Sequence, residues 1–181
     1  MHVSQAPLGS KPIVPEINFG LRRPGAAVGG GTVRLQGFVV AAKRCLESNP
    51  ERSSDFANEI KFIPKLRHRN IVKLLGYCIQ RNERILVYGY MENKSLDKFI
   101  FGPTMGDFRK WDKLFGIISG IAKGVVYLHL HSGLNIIHKD LKQSNIMLDY
   151  EMNPKISDFG TAEVGHSNKS QKADIVVTGT P

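Results

Sequence analysis

The sequence has few cysteines, no uninterrupted apolar run of membrane-spanning length and no block of one charge, and each lack excludes a class of protein. The two cysteines, Cys45 and Cys78, have neither the spacing of a zinc site nor that of a disulfide framework, which favours a reducing, intracellular setting. A membrane-spanning helix needs about 18 apolar residues, and Lys123 interrupts the closest candidate, 116–130. We therefore expect no transmembrane segment, and the N-terminal residues carry neither a signal core nor a myristoylation pattern.

The bulk composition fits one packed domain with a basic surface. The chain has 181 residues, 41% of them apolar, and its 25 Lys and Arg against 16 Asp and Glu give a net charge of +9. That charge indicates phosphate-bearing partners such as a nucleotide, or a merely solvated surface, since the basic residues are scattered. No nucleic acid is expected, because the aromatic residues follow the period of a core and are not interleaved with basic ones as stacking platforms.

Periodicity predicts an α+β chain after a poorly ordered, proline-containing leader, residues 1–28. The segment 53–66 has the apolar spacing of a helix that Pro64 ends or kinks. Residues 70–79 and 84–91 predict two strands of an antiparallel hairpin, 38–45 another strand, and 111–133 a long helix that Gly133 ends. One apolar face of this long helix contains Phe115, Ile118, Ala122 and Val125.

The segment HKDLKQSNIMLDYEMNPKISDFG, residues 138–160, concentrates chemical groups at fixed offsets around two short apolar runs. Asp140 and Asp158 are acids, Asn145 is an amide and Lys142 is a cation. Taken alone, the segment is either a catalytic, metal-binding loop or a polar turn between short strands.

Several motifs in a fixed order decide between these readings. VAAK (40–43), IIHKDLKQSNIMLD (136–149) and KISDFG (155–160) resemble the phosphate-binding lysine, catalytic loop and magnesium loop of eukaryotic protein kinases. Residues 56–78, 85–102 and 120–129 resemble plant receptor-like serine/threonine kinases of the cysteine-rich and S-domain type. The resemblance covers residues 29–181 and implies a protein-kinase-like α+β fold. Its N-lobe (29–91) would be an antiparallel sheet with one helix, and 92–181 would hold the hinge exit, the long helix, the catalytic loop and the activation segment, the first part of a helical C-lobe.

The resemblance assigns roles in phosphoryl transfer, which needs positioning and charge neutralisation more than covalent help. Lys43 would bind the α- and β-phosphates of ATP, with Glu59 on the buried side of the 53–66 helix as its ion-pair partner. Asp140 would accept or orient the proton of the substrate hydroxyl, and Lys142 would steady the transferring phosphate. Asn145 and Asp158 would hold Mg²⁺, a hard cation that prefers oxygen ligands.

The remaining assignments concern adenine and the substrate. Tyr88 would be the gatekeeper of the adenine site, and Gly89, Tyr90 and Met91 would offer backbone groups to the base, with Gly89 standing where the family usually has Glu. Two further groups of residues follow from the resemblance: Ala41 and Val33 over the base, with strand packing as the equal alternative, and Thr178 and Thr180 in the activation segment.

Three departures from the family pattern leave a second function open. Gly29, Gly30 and Gly31 are out of phase with the expected phosphate loop and form either an anion-binding turn or a plain linker. Lys139 replaces the arginine before Asp140, so loop phosphorylation should matter less, because lysine lacks the bidentate fork. The chain also ends at Pro181, before the helices expected to cover its long helix. The expected function is an ATP- and Mg²⁺-dependent serine/threonine kinase acting on a protein in the cytoplasm. The alternatives are a catalytically weak or inactive relative that binds a partner kinase, and a truncated gene product.

Overall fold

The computed structural model describes residues 31–35, 38–46, 50–80, 83–101 and 111–165. The strands and helices, in chain order, are β1 (Gly31–Leu35), β2 (Phe38–Leu46), α1 (Pro50–Phe62), β3 (Leu74–Gln80), β4 (Glu83–Gly89), α2 (Leu96–Phe101), α3 (Trp111–Val126), β5 (Ile136–Ile137), β6 (Ile146–Leu148), β7 (Pro154–Ile156) and β8 (Glu163–Val164). The predicted leader 1–28 lies outside the described residues.

The first half of the chain is a four-stranded antiparallel sheet in the order β1-β2-β4-β3. Its register places Lys43 of β2 opposite Leu86 of β4. The predicted hairpin is confirmed, but its first strand begins at Leu74 and not at residue 70. The reason is that Ile71 makes a parallel bridge to Ile156 instead, and the N–H of Val72 donates to the carbonyl of Ile156 at 2.9 Å.

Helix α1 packs against the sheet through the face that the sequence predicts. It starts at Pro50, earlier than predicted, because proline suits the first turn, where its missing N–H has no partner anyway. Phe62 is its last residue, and Ile63–Lys65, which contains Pro64, continues as a 3₁₀ turn, as expected of a proline. Phe56 and Glu59 are buried, and Glu59 is fully inaccessible.

Helix α3 buries a different face from the apolar one named above. Tyr127–His131 extends it as a π-helical turn, and Gly133 follows with φ +71°. The buried side consists of Ile117, Gly120, Gly124 and Leu128. Another side is an apolar stripe, defined here as Trp111, Phe115, Ile118, Ala122 and Val126, whose members are all exposed.

The continuous helical stretch Lys113–His131 bears on the expectation that the chain has no transmembrane segment. By length and composition alone it could cross a membrane, with a mean hydropathy of 1.4 despite Lys123. Such a single helix is weak support for a membrane span, since core helices pass the same test, and 22% of this stretch is buried.

Candidate active site

A cleft of about 510 Å³ opens between the sheet and the 138–160 segment. Nine of the residues assigned to it from the sequence line its walls: Ala41, Lys43, Glu59, Tyr88, Gly89, Tyr90, Met91, Asn145 and Asp158. The sequence analysis missed other lining residues, among them Thr32, Ala42, Val72, Lys94, Ser95, Lys98, Ser144, Met147 and Ser157. Most of these are small or lie in loops, and no spacing rule singles them out.

A three-membered charge cluster stands at the inner end of the cleft. The Lys43 Nζ donates to Glu59 Oε1 at 2.7 Å and to Asp158 Oδ1 at 2.6 Å. Burial alone would lower the pKa of Lys43, but the two carboxylates outweigh it and hold this pKa above its ordinary value. Burial likewise opposes ionisation of Asp158, and the Lys43 ammonium prevails, so the Asp158 pKa is lowered. The cluster therefore keeps an ammonium and a carboxylate charged beside each other.

Tyr88 gives the buried Glu59 a second partner that the sequence did not indicate. Its hydroxyl donates to Glu59 Oε2, while Lys43 holds Oε1. Burial raises the pKa of both Glu59 and Tyr88, so the tyrosine stays a neutral donor. Both carboxylate oxygens of Glu59 are thus satisfied, as a buried acid requires.

The turn around Asp140 is built by a short hydrogen-bond network. Asp140 Oδ2 accepts from Lys142 Nζ at 2.7 Å and from Asn145 Nδ2 at 2.9 Å. The same amide nitrogen donates to the Asp140 carbonyl at 2.9 Å, and the backbone N–H of Ser157 donates to the carbonyl of Asn145 at 2.9 Å. Because the Asn145 nitrogen is engaged in this way, its side-chain oxygen is the atom suited to a metal. Asp140 and Lys142 lie outside the lining of the cleft proper.

His138 fixes the backbone before Asp140, and the sequence analysis gave it no role. Its Nε2 donates to the Ser157 carbonyl at 3.0 Å, and its Nδ1 accepts from the N–H of Asp140 at 3.3 Å. The ring also packs edge-on against Phe159, with centroids 4.8 Å apart. Burial lowers the pKa of His138. The neutral Nε2–H tautomer satisfies both contacts, whereas a second proton on Nδ1 would remove the acceptor for Asp140.

Helix α1 holds the loop that carries Asp158. Asp158 has φ +66°, a left-handed conformation that needs support from its surroundings. The Asn58 Nδ2 donates to the Gly160 carbonyl at 2.6 Å, and Phe159 is fully buried. A β-carbon on Gly160 would lie 2.7 Å from that of Asp55, so glycine permits this close approach. Asn58 is another functional residue that the sequence analysis missed.

At the adenine end of the cleft, two backbone groups of the 89–91 segment make hydrogen bonds within the chain. The N–H of Gly89 donates to the Lys73 carbonyl at 3.2 Å, because β3 and β4 pair there, and the carbonyl of Met91 accepts from the N–H of Lys94 at 3.2 Å. A base in this cleft would therefore compete for the Gly89 N–H, whereas the Met91 carbonyl can still accept a second hydrogen bond. Ala41 lines the cleft, as predicted.

Some predicted site residues have no described side chain. Gly31 and Val33 lie in β1, where Val33 is opposite Val40, and their side chains are outside the description. Gly29, Gly30, Thr178 and Thr180 lie outside the described residues altogether. Within the described ranges, no group of three or more His, Cys, Asp or Glu side chains could hold a metal ion, so a metal here would rely on the Asn145 and Asp158 pair.

Comparison with known proteins agrees with this geometry. The sequence model of the protein kinase domain matches residues 25–180. Cysteine-rich receptor-like protein kinase 7 of Arabidopsis thaliana is 47% identical over 144 residues, which cover 80% of this chain and 22% of the relative. A G-type lectin S-receptor-like serine/threonine-protein kinase of the same plant is 49% identical over 146 residues, covering 81% of this chain and 18% of the relative. The chain thus spans about a fifth of the length of the curated relatives it matches.

Proposed function

The chain belongs to the protein kinase family, and on that premise we propose that it transfers the γ-phosphate of ATP to a serine or threonine hydroxyl of a protein, with Mg²⁺ as the metal, on the cytoplasmic side of the cell. The observation that carries this proposal is the shared Lys43, bonded to both Glu59 and Asp158 at the inner end of the cleft. An ammonium held by two acids can bind phosphate oxygens, and one of those acids can bind a metal, which supports the proposal.

The residues of the cleft fit Mg-ATP by their chemistry. The nucleotide would supply the phosphoryl group, and the metal would neutralise charge on the phosphate oxygens. Asn145 and Asp158 would provide the two oxygen ligands, which suit Mg²⁺, while Ala41 and Met147 give the cleft apolar walls for a base. Glu59, held by Tyr88, keeps Lys43 directed into the cleft.

Asp140 would act on the substrate hydroxyl. Two donors occupy its Oδ2, so we assign Oδ1 to the hydroxyl, which it would orient and whose proton it would accept. Lys142, on the other side of the same carboxylate, can move to the transferring phosphate. His138 keeps the backbone of Asp140 in place through the Nδ1 contact.

Nucleotide binding tests the first half of the proposal. We expect Mg-ATP to raise the melting temperature of the chain saturably, because a ligand that binds only the folded state stabilises it. Asp158→Asn should remove the magnesium-dependent part of this shift. Glu151→Gln, which also removes one acidic charge but lies in an exposed turn, should keep it. A shift that is the same with and without magnesium would contradict the metal assignment.

Phosphate transfer to a serine- and threonine-containing protein tests the second half. Transfer should require Asp140 and be lost in Asp140→Asn, while the nucleotide-dependent shift in melting temperature remains. A chain that binds Mg-ATP without any Asp140-dependent transfer would favour the alternative, a non-catalytic relative that binds a partner kinase. Radiolabelled ATP separates the two outcomes in one experiment.

A further inference from the structure

A two-stranded sheet joins the catalytic loop to the segment that follows the magnesium loop. In this β5–β8 pair, Ile136 is opposite Val164 and Ile137 is opposite Glu163. Two hydrogen bonds extend the pairing: the N–H of Gly165 donates to the Asn135 carbonyl at 2.6 Å, and the Thr161 hydroxyl donates to the His138 carbonyl at 3.2 Å. The 161–165 segment is thereby attached on both sides of β8 to the residues that precede Asp140.

An ion pair also joins β8 to Lys139, the residue that precedes Asp140. Glu163 Oε1 lies 2.8 Å from the Nζ of Lys139, and the two side chains are 64% and 47% exposed. Lys139 has φ +66°, an uncommon backbone conformation for a residue other than glycine, and it immediately precedes Asp140. Such a conformation persists only where neighbouring contacts impose it. The Glu163 carboxylate is the anionic contact that the structure provides there.

We propose that Glu163 is a positioning residue for the catalytic loop, a carboxylate built into β8 that neutralises Lys139 and holds Asp140 in place without a phosphate group on the downstream segment. The consequence for catalysis rests on the proposed kinase function, whereas the contact itself does not. Among the described residues Lys139 pairs with Glu163, so an added phosphate would compete with this carboxylate for the same ammonium.

The expected effect is modest and specific to charge. A single exposed ion pair is weak, but this one lies at the end of a short sheet with few other contacts. Reversing one charge removes the attraction and adds repulsion. We therefore expect about a twofold to fivefold change in the opening of the 161–165 segment, which corresponds to the usual range for exposed pairs.

The test is a charge-swap cycle in the whole 181-residue chain, read by amide hydrogen exchange. Glu163→Lys and Lys139→Glu should each speed exchange in 161–165, and the double variant, in which the charges are exchanged, should restore slow exchange. Glu151→Lys is the matched control, because it makes the same change of charge in an exposed turn and should leave 161–165 unchanged. Failure of the double variant to restore protection would overturn the proposal, because a purely structural effect of each substitution would add.

Two further measurements complete the test. Phosphatase treatment of the wild-type chain should leave exchange in 161–165 unchanged, and faster exchange after treatment would mean that a phosphate, not Glu163, holds the segment. In transfer assays, each single reversal should lower kcat and leave the KM for ATP unchanged, with recovery in the double variant. If the wild-type chain transfers no phosphate while the exchange cycle still restores protection, the kinase proposal fails and the assignment of Glu163 stands.

Discussion

Gly116 and Gly120 of α3 allow a direct test of how this helix supports the magnesium loop. A β-carbon on Gly120 would lie 2.5 Å from Cγ and 2.9 Å from Cδ of Pro154, and 2.9 Å from Nδ2 of Asn70. A β-carbon on Gly116, one turn earlier in the same helix, would have no atom within 4 Å. The perturbation is the same Gly→Ala change at both positions, so the helix propensity gained is the same and only the packing differs.

The two variants should change stability in opposite directions. Alanine in a helix interior is better than glycine by about 1 kcal/mol, and at Gly116 nothing opposes that gain. At Gly120 the obstacle is the rigid ring of the first residue of β7, and overpacking of this kind costs about 1–3 kcal/mol. The hydrogen bond from Asn70 Nδ2 to the Pro154 carbonyl, 2.9 Å long, would also be disturbed, at a cost of about 1 kcal/mol. We therefore expect Gly120→Ala to lose about 1–3 kcal/mol after the propensity gain.

The assay is thermal or urea unfolding of both variants beside the wild-type chain. A free-energy difference between them of about 2–4 kcal/mol corresponds to at least about 4 °C in melting temperature for a chain of this size. Gly120→Ala should also weaken Mg-ATP binding, because β7 leads directly to Asp158, while Gly116→Ala should not. A Gly120→Ala chain at least as stable as Gly116→Ala would refute the packing of α3 against Pro154.

Three further predictions concern His138, Tyr88 and the apolar stripe. Because the pKa of His138 is lowered in the folded chain, the unfolded chain takes up the extra proton first as pH falls. The stability that neutral His138 contributes is therefore complete above its ordinary pKa of 6.5 and is lost below it. His138→Gln should flatten the pH dependence of the melting temperature, and His131→Gln, at an exposed position, should not. Tyr88→Phe should lower the free energy of unfolding by about 1.5–3 kcal/mol, because a hydrogen bond to buried Glu59 is lost, and an unchanged urea midpoint would contradict that bond. The exposed apolar stripe should bind a solvatochromic dye, Phe115→Ser should reduce the signal, and a dye-negative wild-type chain would show the stripe to be covered.

The charged residues of the site could be found in the sequence because most of them lie at fixed sequence distances from one another. Asp140, Asn145 and Asp158 lie in one short segment, and the helical period alone placed Glu59 on the buried side of α1. Lys43 follows an apolar strand whose register then brings it to the cleft. Spacing and periodicity therefore point to these residues, and the resemblance to protein kinases gave them their expected roles.

The supporting contacts could not be predicted in this way, because they join distant parts of the chain. Tyr88 and Glu59 are 29 residues apart, and Asn58 and Gly160 are 102 apart. The packed face of α3 was not predicted from the sequence, for a different reason. Gly120 and Gly124 have no side chain that an apolar count would register, although they allow the closest approach in the helix. Apolar periodicity instead selected the face with Phe115 and Ile118, which was expected to lack its covering helices and is exposed in the structure.

The two loops of the site are bonded to each other through Ser157, and each also has a support of its own. The strand that leads to Asp158 is bonded to the 70–72 segment, since the N–H of Ile156 donates to the Asn70 carbonyl at 2.8 Å and the N–H of Val72 donates to the Ile156 carbonyl at 2.9 Å. Asn58 of α1 adds a tie from the same half of the chain.

The loop that carries Asp140 is also attached to β8, through the β5–β8 pair and Glu163. Because these supports share few residues, substitutions at Asn58 should impair nucleotide binding first, whereas substitutions at Glu163 should impair transfer first. On the proposed function, nucleotide binding and phosphate transfer should therefore be separable, and a loss of transfer alone would indicate the β8 attachment and not the cleft.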